Sequence, residues 1–201
     1  MFSTPKKFAK MLARTLLGDY AIYHVYFRAA RQEAAPQSKV PASFRCISID
    51  QQSIEASADP LIRDQAGYAG AGASAYACFD GERIVGICFY WFGERYLQRN
   101  FWPLTDGEAK LVQIITLPDM RGRGIARALI AGSSESMQEK SFHRLYARIW
   151  HSNTPSLLAF ERAGWTRVAT VIEINPLRRS RAIRIRLGHR LISGTAHDVA
   201  A

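Results

Sequence analysis

The stretch PDMRGRGIARALI, residues 118–130, places two glycines and three arginines within residues 121–127, between an apolar run and a helical pattern. A strand that leads through such a loop into a helix presents unpaired backbone N–H groups and the positive end of the helix dipole, which bind anions. Gly122 and Gly124 would let the backbone approach a phosphate closely. Arg121 and Arg123 would make the surroundings positive. The stretch predicts a phosphate-binding loop, and a plain strand-to-helix turn is the alternative.

Two well-known phosphate loops do not match this stretch. A P-loop ends in Gly-Lys-Ser/Thr, whereas Gly124 is followed here by Ile125 and Ala126. The dinucleotide pattern G-x-G-x-x-G is unmet, because Arg127 stands at its third glycine. The pattern that is present is R-x-x-G-x-A, directly after a buried strand.

The rest of the chain predicts strands and helices in a regular order. FRCISID (44–50) alternates as a half-buried strand does, and a short helical stretch follows it. Asp80-Gly81 predicts a hairpin turn between AYACFD and RIVGICFYWF. The remaining expected elements are the strand EAKLVQIITL (108–117), a helix to about residue 140, the strand RLYARIW, the helix TPSLLAFERAG, and the closing strands WTRVATVIEI and RAIRIRLG. This order predicts a mixed α/β (α+β) fold with an antiparallel front and a βαβ core.

The first 34 residues of the chain have a different pattern. Over residues 1–34, apolar side chains recur at roughly helical spacing, and basic side chains face elsewhere. The spacing predicts a helical extension, with Gly18-Asp19 bending it and a proline-containing linker closing it near residue 40. The apolar positions are Phe8, Met11, Leu12, Leu16, Tyr23, Tyr26 and Phe27, and the basic ones are Lys6, Lys7, Lys10 and Arg14. Such a helix suits contact with an anionic membrane surface, packing on the domain, or a homodimer.

Composition narrows the class of protein. The chain has 201 residues, of which 48% are hydrophobic and 22% charged, as in an ordinary globular protein. No apolar run is long enough to span a membrane, and no signal peptide is evident, so we expect a cytoplasmic protein, with the inner membrane face as the alternative. Three cysteines lack metal-type spacing, and no metal site is expected. The net charge of +10 would suit nucleic acid or an acidic ligand, but no nucleic-acid motif accompanies it.

Two signatures together resemble the GNAT N-acetyltransferase superfamily. The loop R-x-x-G-x-A is similar to that family's acetyl-CoA loop. About thirty residues later, ARIWHSNTPSLLAFERAGWTRV is similar to its second signature, in which an Asn follows a strand, a helix ends in Gly, and an aromatic residue opens the next strand. The resemblance covers residues 44 to about 188 in strand order, and its specific part is 108–168. It implies a GNAT-like mixed, mostly antiparallel sheet with a central splayed parallel strand pair flanked by helices. The implied domain is 41–190, after the N-terminal extension and linker (1–40) and before a disordered tail (191–201).

The resemblance implies acetyl-CoA as co-substrate and the residues that would hold it. The pyrophosphate would lie on the loop, and the pantetheine arm would pair with the backbone of the strand before it, through Ile115 and Leu117. The implied cofactor contacts are Ile115, Thr116, Leu117, Arg121, Gly122, Arg123, Gly124, Ile125, Ala126, Asn153 and Phe160. Asn153 would also help shape the catalytic site.

The expected acid and base are missing from their usual places. Phe160 stands where the family often has a proton-donating Tyr, and Arg148 stands where a Glu base is frequent. Glu108 is the best substitute base, and Tyr146 and His151 are weaker ones. Each of these three residues also has a simpler interpretation as a solvated or structural side chain.

Aromatic side chains cluster in the segment that follows the Asp80-Gly81 turn. Residues 87–103 carry seven aromatic side chains, Phe89, Tyr90, Trp91, Phe92, Tyr96, Phe101 and Trp102, and the corresponding strand and loop of the family flank the acceptor pocket. Together with the basic charge, this favours the primary amine of a small molecule, such as an amino sugar or sugar nucleotide of surface-polysaccharide synthesis. The alternatives are a peptide or protein amine, a catalytically weak CoA-binding module, and a basic nucleic-acid or membrane adaptor.

Overall fold

A computed structural model describes residues 19–29, 44–97, 102–175 and 183–188. These residues form one eight-stranded sheet in the order β2-β3-β4-β5-β6-β1-β7-β8. Its strands are β1 Asp19–Ala29, β2 Phe44–Ile49, β3 Ala73–Asp80, β4 Arg83–Trp91, β5 Glu108–Thr116, β6 Arg144–Trp150, β7 Thr166–Asn175 and β8 Ile183–Gly188. Neighbouring strands run antiparallel except β5 and β6, which are parallel. The mixed, mostly antiparallel sheet predicted from the sequence is confirmed.

Among the described residues, five α-helices connect or cover the strands: α1 Gln51–Glu55, α2 Pro60–Arg63, α3 Gly93–Leu97, α4 Ile125–Glu139 and α5 Thr154–Arg162. Asp50 caps α1, because its side chain accepts a hydrogen bond from the N–H of Ser53 at 2.8 Å. The 15-residue α4 and the shorter α5 pack against each other and on one face of the sheet, which we call the helical face. The two helices connect strands that lie near the centre of the sheet.

Residues 19–29 form a strand, so the predicted helix is wrong over this range. β1 lies between β6 and β7, antiparallel to both, and buries Tyr23, Val25 and Tyr26. The residues of β1 are mostly β-branched or aromatic, which favours a strand. The sequence left open whether the apolar side chains of this range contact a membrane, the domain or a second subunit. Over residues 19–29 they pack in the domain itself. Residues 1–18, with their basic side chains, lie outside the described part, as do 30–43 and 189–201.

The hydrophobic core lies on both faces of the sheet. On the helical face, Tyr90 contacts Ser133 of α4 through its hydroxyl group at 3.0 Å, and Tyr26 contacts Phe160 of α5 at 6.0 Å between ring centroids. On the opposite face, a second cluster surrounds Tyr23, Val25 and Trp91. The fold therefore covers the helical face at the β5–β6 pair and leaves the opposite face of β6, β1, β7 and β8 without an α-helix among the described residues.

Candidate active site

The centre of the sheet opens into a cleft where β5 and β6 part. The two strands pair from Glu108 opposite Arg144 to Leu111 opposite Ala147, and their pairing ends there. The register of β4 on β5 shifts at the same level, since Tyr90 pairs with Leu111 and Phe89 with Gln113. Val112 is thus an inserted residue, and such a bulge bends the strand that carries it. A parallel pair with a splayed end is what the resemblance to the GNAT superfamily implied here.

The glycine loop stands at the end of β5, next to the cleft. A 3₁₀ turn over Pro118–Met120 leads into it, and Gly122 and Gly124 adopt left-handed φ angles of 78° and 81°. A Cβ atom at either glycine would meet no atom within 4 Å, so the glycines are required by backbone conformation rather than by packing. The space above them is therefore open to a ligand.

The loop offers backbone donors at the start of α4. Gly124 is the N-cap and supplies no side-chain hydrogen bond, and the first-turn N–H groups of Ile125 and Ala126 have no acceptor within the helix. An anion at this position would meet these donors and the positive helix end. Arg83 holds the start of the loop through Asp119, at 2.7 Å, and this ion pair keeps the pKa of the Asp119 carboxyl below its usual value.

The backbone of β5 is turned differently from the prediction. The N–H of Leu117 donates to Val85 of β4 at 3.0 Å, so Leu117 faces away from the cleft. Because alternate residues of a strand direct their N–H and C=O groups to the same side, Ile115 also faces β4, and Ile114 and Thr116 face the cleft. The N–H and C=O groups of Ile115 and Leu117, which were predicted to pair with a ligand in the cleft, therefore point to β4 instead, and those of Ile114 and Thr116 point to the cleft.

The side chain of Thr116 has unused hydrogen-bonding capacity. Its Oγ1 atom is buried and makes no hydrogen bond with the described residues. Thr116 pairs with Gly86, whose Cα lies under the Ile125 side chain at the start of α4. A buried hydroxyl without a partner costs free energy, which a polar ligand at this place would recover.

Two residues of the second signature have structural roles in the described contacts. Asn153 is the N-cap of α5, and its Oδ1 accepts a hydrogen bond from the N–H of Ser156 at 3.3 Å. Phe160 is 2% exposed and packs in the core against Tyr26 and Trp165. Phe160 therefore presents little exposed surface, and its contact with a ligand stays a prediction.

Glu108 is buried at the paired end of β5 and β6, at the opposite end of β5 from the glycine loop. One carboxylate oxygen contacts Arg144 at 3.1 Å, and the other accepts the N–H of Thr105 at 2.9 Å. Burial and the Glu108 charge raise the pKa of the neighbouring Tyr146 to about 12. Glu108 therefore stabilises a local network, and an amine could reach it only if that network opened.

His151 lies at the other end of β6. Both its backbone N–H and its Nδ1 contact the carbonyl oxygen of Ile22, each at 3.1 Å. A carbonyl only accepts hydrogen bonds, so Nδ1 is the donor in this contact. His151 is exposed.

The aromatic residues predicted to flank an acceptor divide into two groups. Phe89, Tyr90, Trp91 and Tyr96 are buried in the core, and Phe92 is half-buried against the same core, with its ring 4.8 Å from that of Phe142. Trp102 lies on the opposite face from α4 and α5, with its ring 5.8 Å from Tyr146 and under the guanidinium of Arg186 at 4.4 Å. Phe101 lies outside the described residues.

Sequence reasoning did not predict that basic side chains gather on the face of the sheet opposite α4 and α5. Arg148 on β6 and Arg184 and Arg186 on β8 come together only because β1 and β7 connect these strands. The alternation of Ile183, Arg184, Ile185 and Arg186 was a usable signal, because alternate residues of a strand share a face. We call the surface formed by Arg144, Arg148, Arg184 and Arg186 the arginine face.

A separate open cavity of about 840 Å³ lies beside β2, α1, α2 and the β3–β4 turn. It is lined by Asp50, Asp59 and Arg83 among others, and by none of the residues predicted to bind a cofactor.

Among the described residues, no helix has the length and apolarity needed to cross a membrane. Within the same ranges, no cluster of three His, Cys, Asp or Glu side chains could bind a metal ion.

Comparison with known proteins gives one family. The model of the acetyltransferase (GNAT) family matches residues 42–165, which is more than half of the chain. A search of the curated proteins finds no match.

Solved structures support the same fold. The chain is similar to an acetyltransferase of the GNAT family from Colwellia psychrerythraea, with 12% identity, a TM-score of 0.57, and coverage of 86% of this chain and 63% of that one. It is also similar to a GCN5-related N-acetyltransferase from Sphaerobacter thermophilus, with 14% identity, a TM-score of 0.55, and coverage of 94% and 59%. At these identities the likeness shows the fold, and the chain spans less than two thirds of the length of either structure.

Proposed function

Since the chain belongs to the GNAT acetyltransferase family, we propose that it moves an acetyl group from acetyl-CoA to a primary amine of a small molecule. One observation carries the proposal. The open glycine loop stands at the N-terminus of α4, beside the place where β5 and β6 part. A phosphate-bearing ligand with a long arm fits these two features together.

The described residues fit acetyl-CoA in three places. The N–H groups of Gly124, Ile125 and Ala126 would hold the pyrophosphate, with Arg121 and Arg123 nearby. The backbone of Ile114 and Thr116 would pair with the pantetheine arm in the manner of an added strand. The Thr116 hydroxyl would obtain the hydrogen-bond partner that it lacks, and the Asn153 amide would contact the arm from the other side of the cleft.

When bound, acetyl-CoA supplies an activated acyl group as a thioester. A backbone N–H of β5 that faces the cleft would polarise the thioester carbonyl. The acceptor amine must be neutral when it attacks. Because Arg144 and Thr105 hold Glu108, we propose that Glu108 positions Arg144 and Tyr146, and that the amine loses its proton to water.

The acceptor that we favour within this reaction is an amino sugar or sugar nucleotide. The exposed ring of Trp150 and the half-buried ring of Trp102 could stack on a sugar, and the surrounding side chains are basic. A second candidate is a CoA-binding module with little catalysis, which is favoured by the buried positions of Glu108 and Phe160.

The two candidates are separated by measuring acetyl-CoA affinity by calorimetry and thiol release across a panel of amines. For the enzyme, we expect acetyl-CoA binding together with thiol release that depends on the amine. Binding of acetyl-CoA without thiol release would favour the CoA-binding module. No binding of acetyl-CoA would overturn both.

A further inference from the structure

We infer that the acceptor carries a carboxylate or phosphate group near its amine, and that Arg148 of the arginine face binds this group. The inference rests on the proposed acetyl transfer and specifies its substrate.

The acceptor can approach the cleft from one side of the sheet. On the helical face, α4 and α5 cover the β5–β6 pair, and Leu111, Ala147 and Ile149 are buried beneath them. On the opposite face, Arg148 and Trp150 of β6 are exposed. An acceptor that reaches the parting strands therefore crosses the arginine face.

Arg148 stands at the entrance to the cleft. It is the first residue of β6 beyond the segment paired with β5, which ends at Ala147. Its guanidinium carbon lies 5.2 Å from the ring centroid of Tyr23 and 5.4 Å from that of Trp150. The two rings themselves meet edge to face, with centroids 6.0 Å apart. Arg148 is thus held between two aromatic rings while its side chain stays open to solvent.

Arg184 and Arg186 approach the same place from β8. Arg184 contacts Glu173 at 2.8 Å, and Arg186 lies over Trp102 at 4.4 Å. The pKa of Tyr23 is raised by burial and by Glu173, while Arg184 and Arg148 act against this rise. The guanidinium groups of Arg148 and Arg184 are therefore close enough to Tyr23 for their charges to act on its hydroxyl group.

This arrangement is suited to an anionic ligand. A guanidinium group binds a carboxylate or phosphate through two parallel hydrogen bonds, and aromatic neighbours restrict its orientation. Nearby positive charges also disfavour the protonated form of an amine. Arg148 would thus hold the anionic group and at the same time favour the neutral amine that attacks. Amines without an anionic group would gain neither binding nor orientation and would be repelled in their ammonium form.

The test compares acceptors that differ by one anionic group. Glucosamine and glucosamine 6-phosphate form the phosphate pair, and phenethylamine and phenylalanine form the carboxylate pair. For the full chain, we expect kcat/KM to be at least tenfold higher for the anionic member of one pair, and that pair identifies the group. Arg148→Gln should remove most of this preference by raising KM, and Arg148→Lys should keep part of it, because the charge remains.

Arg45→Gln is the matched control. Arg45 is also an exposed arginine over an aromatic ring, Phe79 at 5.6 Å, but it lies on the far edge strand β2. It should leave the preference unchanged. Equal kcat/KM within both pairs, or a preference that survives in Arg148→Gln, would overturn the inference while acetyl transfer stands. Failure to bind acetyl-CoA, measured separately, would instead overturn the proposed function.

Discussion

Gly124 carries the conformation on which the proposed cofactor loop depends. Its φ of 81° and the open space above it show that the backbone conformation, and not close packing, requires a glycine here. Gly124→Val would strain this backbone and place a branched side chain where the pyrophosphate is proposed to lie. We expect the Kd for acetyl-CoA to rise tenfold or more, which corresponds to about 1.4 kcal/mol. Calorimetry on the folded variant measures this change.

Gly81 supplies the control for Gly124. It has a φ of 60°, also faces open space, and lies in the β3–β4 turn. Gly81→Val should cost stability through the same backbone strain but leave the Kd for acetyl-CoA unchanged. If both variants bind acetyl-CoA as the wild type does, the loop is only a turn between strand and helix.

The variant Glu108→Gln tests whether Glu108 takes the proton from the acceptor amine. It is 4% exposed, and Glu108→Gln would leave Arg144 without its buried carboxylate partner. We expect a loss of stability of about 1–3 kcal/mol, together with less than a tenfold fall in kcat/KM for the folded enzyme. Thermal unfolding and a pH–rate profile measure the two effects. A fall of about 10²–10⁴ that shrinks at high pH would show that Glu108 is the base after all.

At the scale of elements, the position of α4 depends on Gly86 of β4. A Cβ atom there would lie 3.0 Å from Cγ2 of Ile125 and 3.2 Å from the carbonyl oxygen of Ile115. Gly86→Ala should therefore push the start of α4 away from the sheet. We expect a loss of stability of about 1–3 kcal/mol, and a weaker affinity for acetyl-CoA, because the loop moves with the helix.

Gly132 within α4 is the matching site for comparison. A Cβ atom there would lie 3.7 Å from Cβ of Cys46, which is an ordinary contact. Alanine is favoured over glycine in a helix interior by about 1 kcal/mol, so Gly132→Ala should stabilise the protein. Chemical denaturation of both variants measures the difference. An unaffected Gly86→Ala variant would mean that α4 and the sheet tolerate a larger separation.

The predicted elements were most accurate where sequence pattern and tertiary structure agree. The Asp80-Gly81 turn, the long helix after Gly124 and the family signature all depend on local residues, and each was predicted in place. The backbone direction of Ile115 and Leu117 was not, because it depends on the register of β5 against β4, which the bulge at Val112 shifts. The register between two strands cannot be read from the residue pattern of either strand alone.

The error in β1 has a different cause. β1 alternates regularly, with Tyr23, Val25 and Phe27 on one face and Tyr26 on the other, because the irregularity between β1 and β7 inserts its extra residue in β7. Since both faces of β1 are covered, apolar residues occupy both faces, and the aromatic positions 23, 26 and 27 imitate helical spacing. The arginine face was missed for the same reason, since β1 is the strand that connects β6 with β7 and β8.

At the scale of the whole molecule, β1 divides the N-terminal region into two parts with different expected roles. β1 fills the space between β6 and β7, so its removal would leave two central strands with unpaired edges and a cavity at Tyr23, Val25 and Tyr26. A chain lacking residues 1–29 should therefore fail to fold. A chain lacking residues 1–18 retains every described strand, and it should unfold cooperatively and bind acetyl-CoA with the wild-type Kd. Circular dichroism and calorimetry on both chains make the comparison. A folded chain without residues 1–29 would show that β6 and β7 can pair without β1, and loss of binding on removal of 1–18 would place part of the cofactor site in that segment.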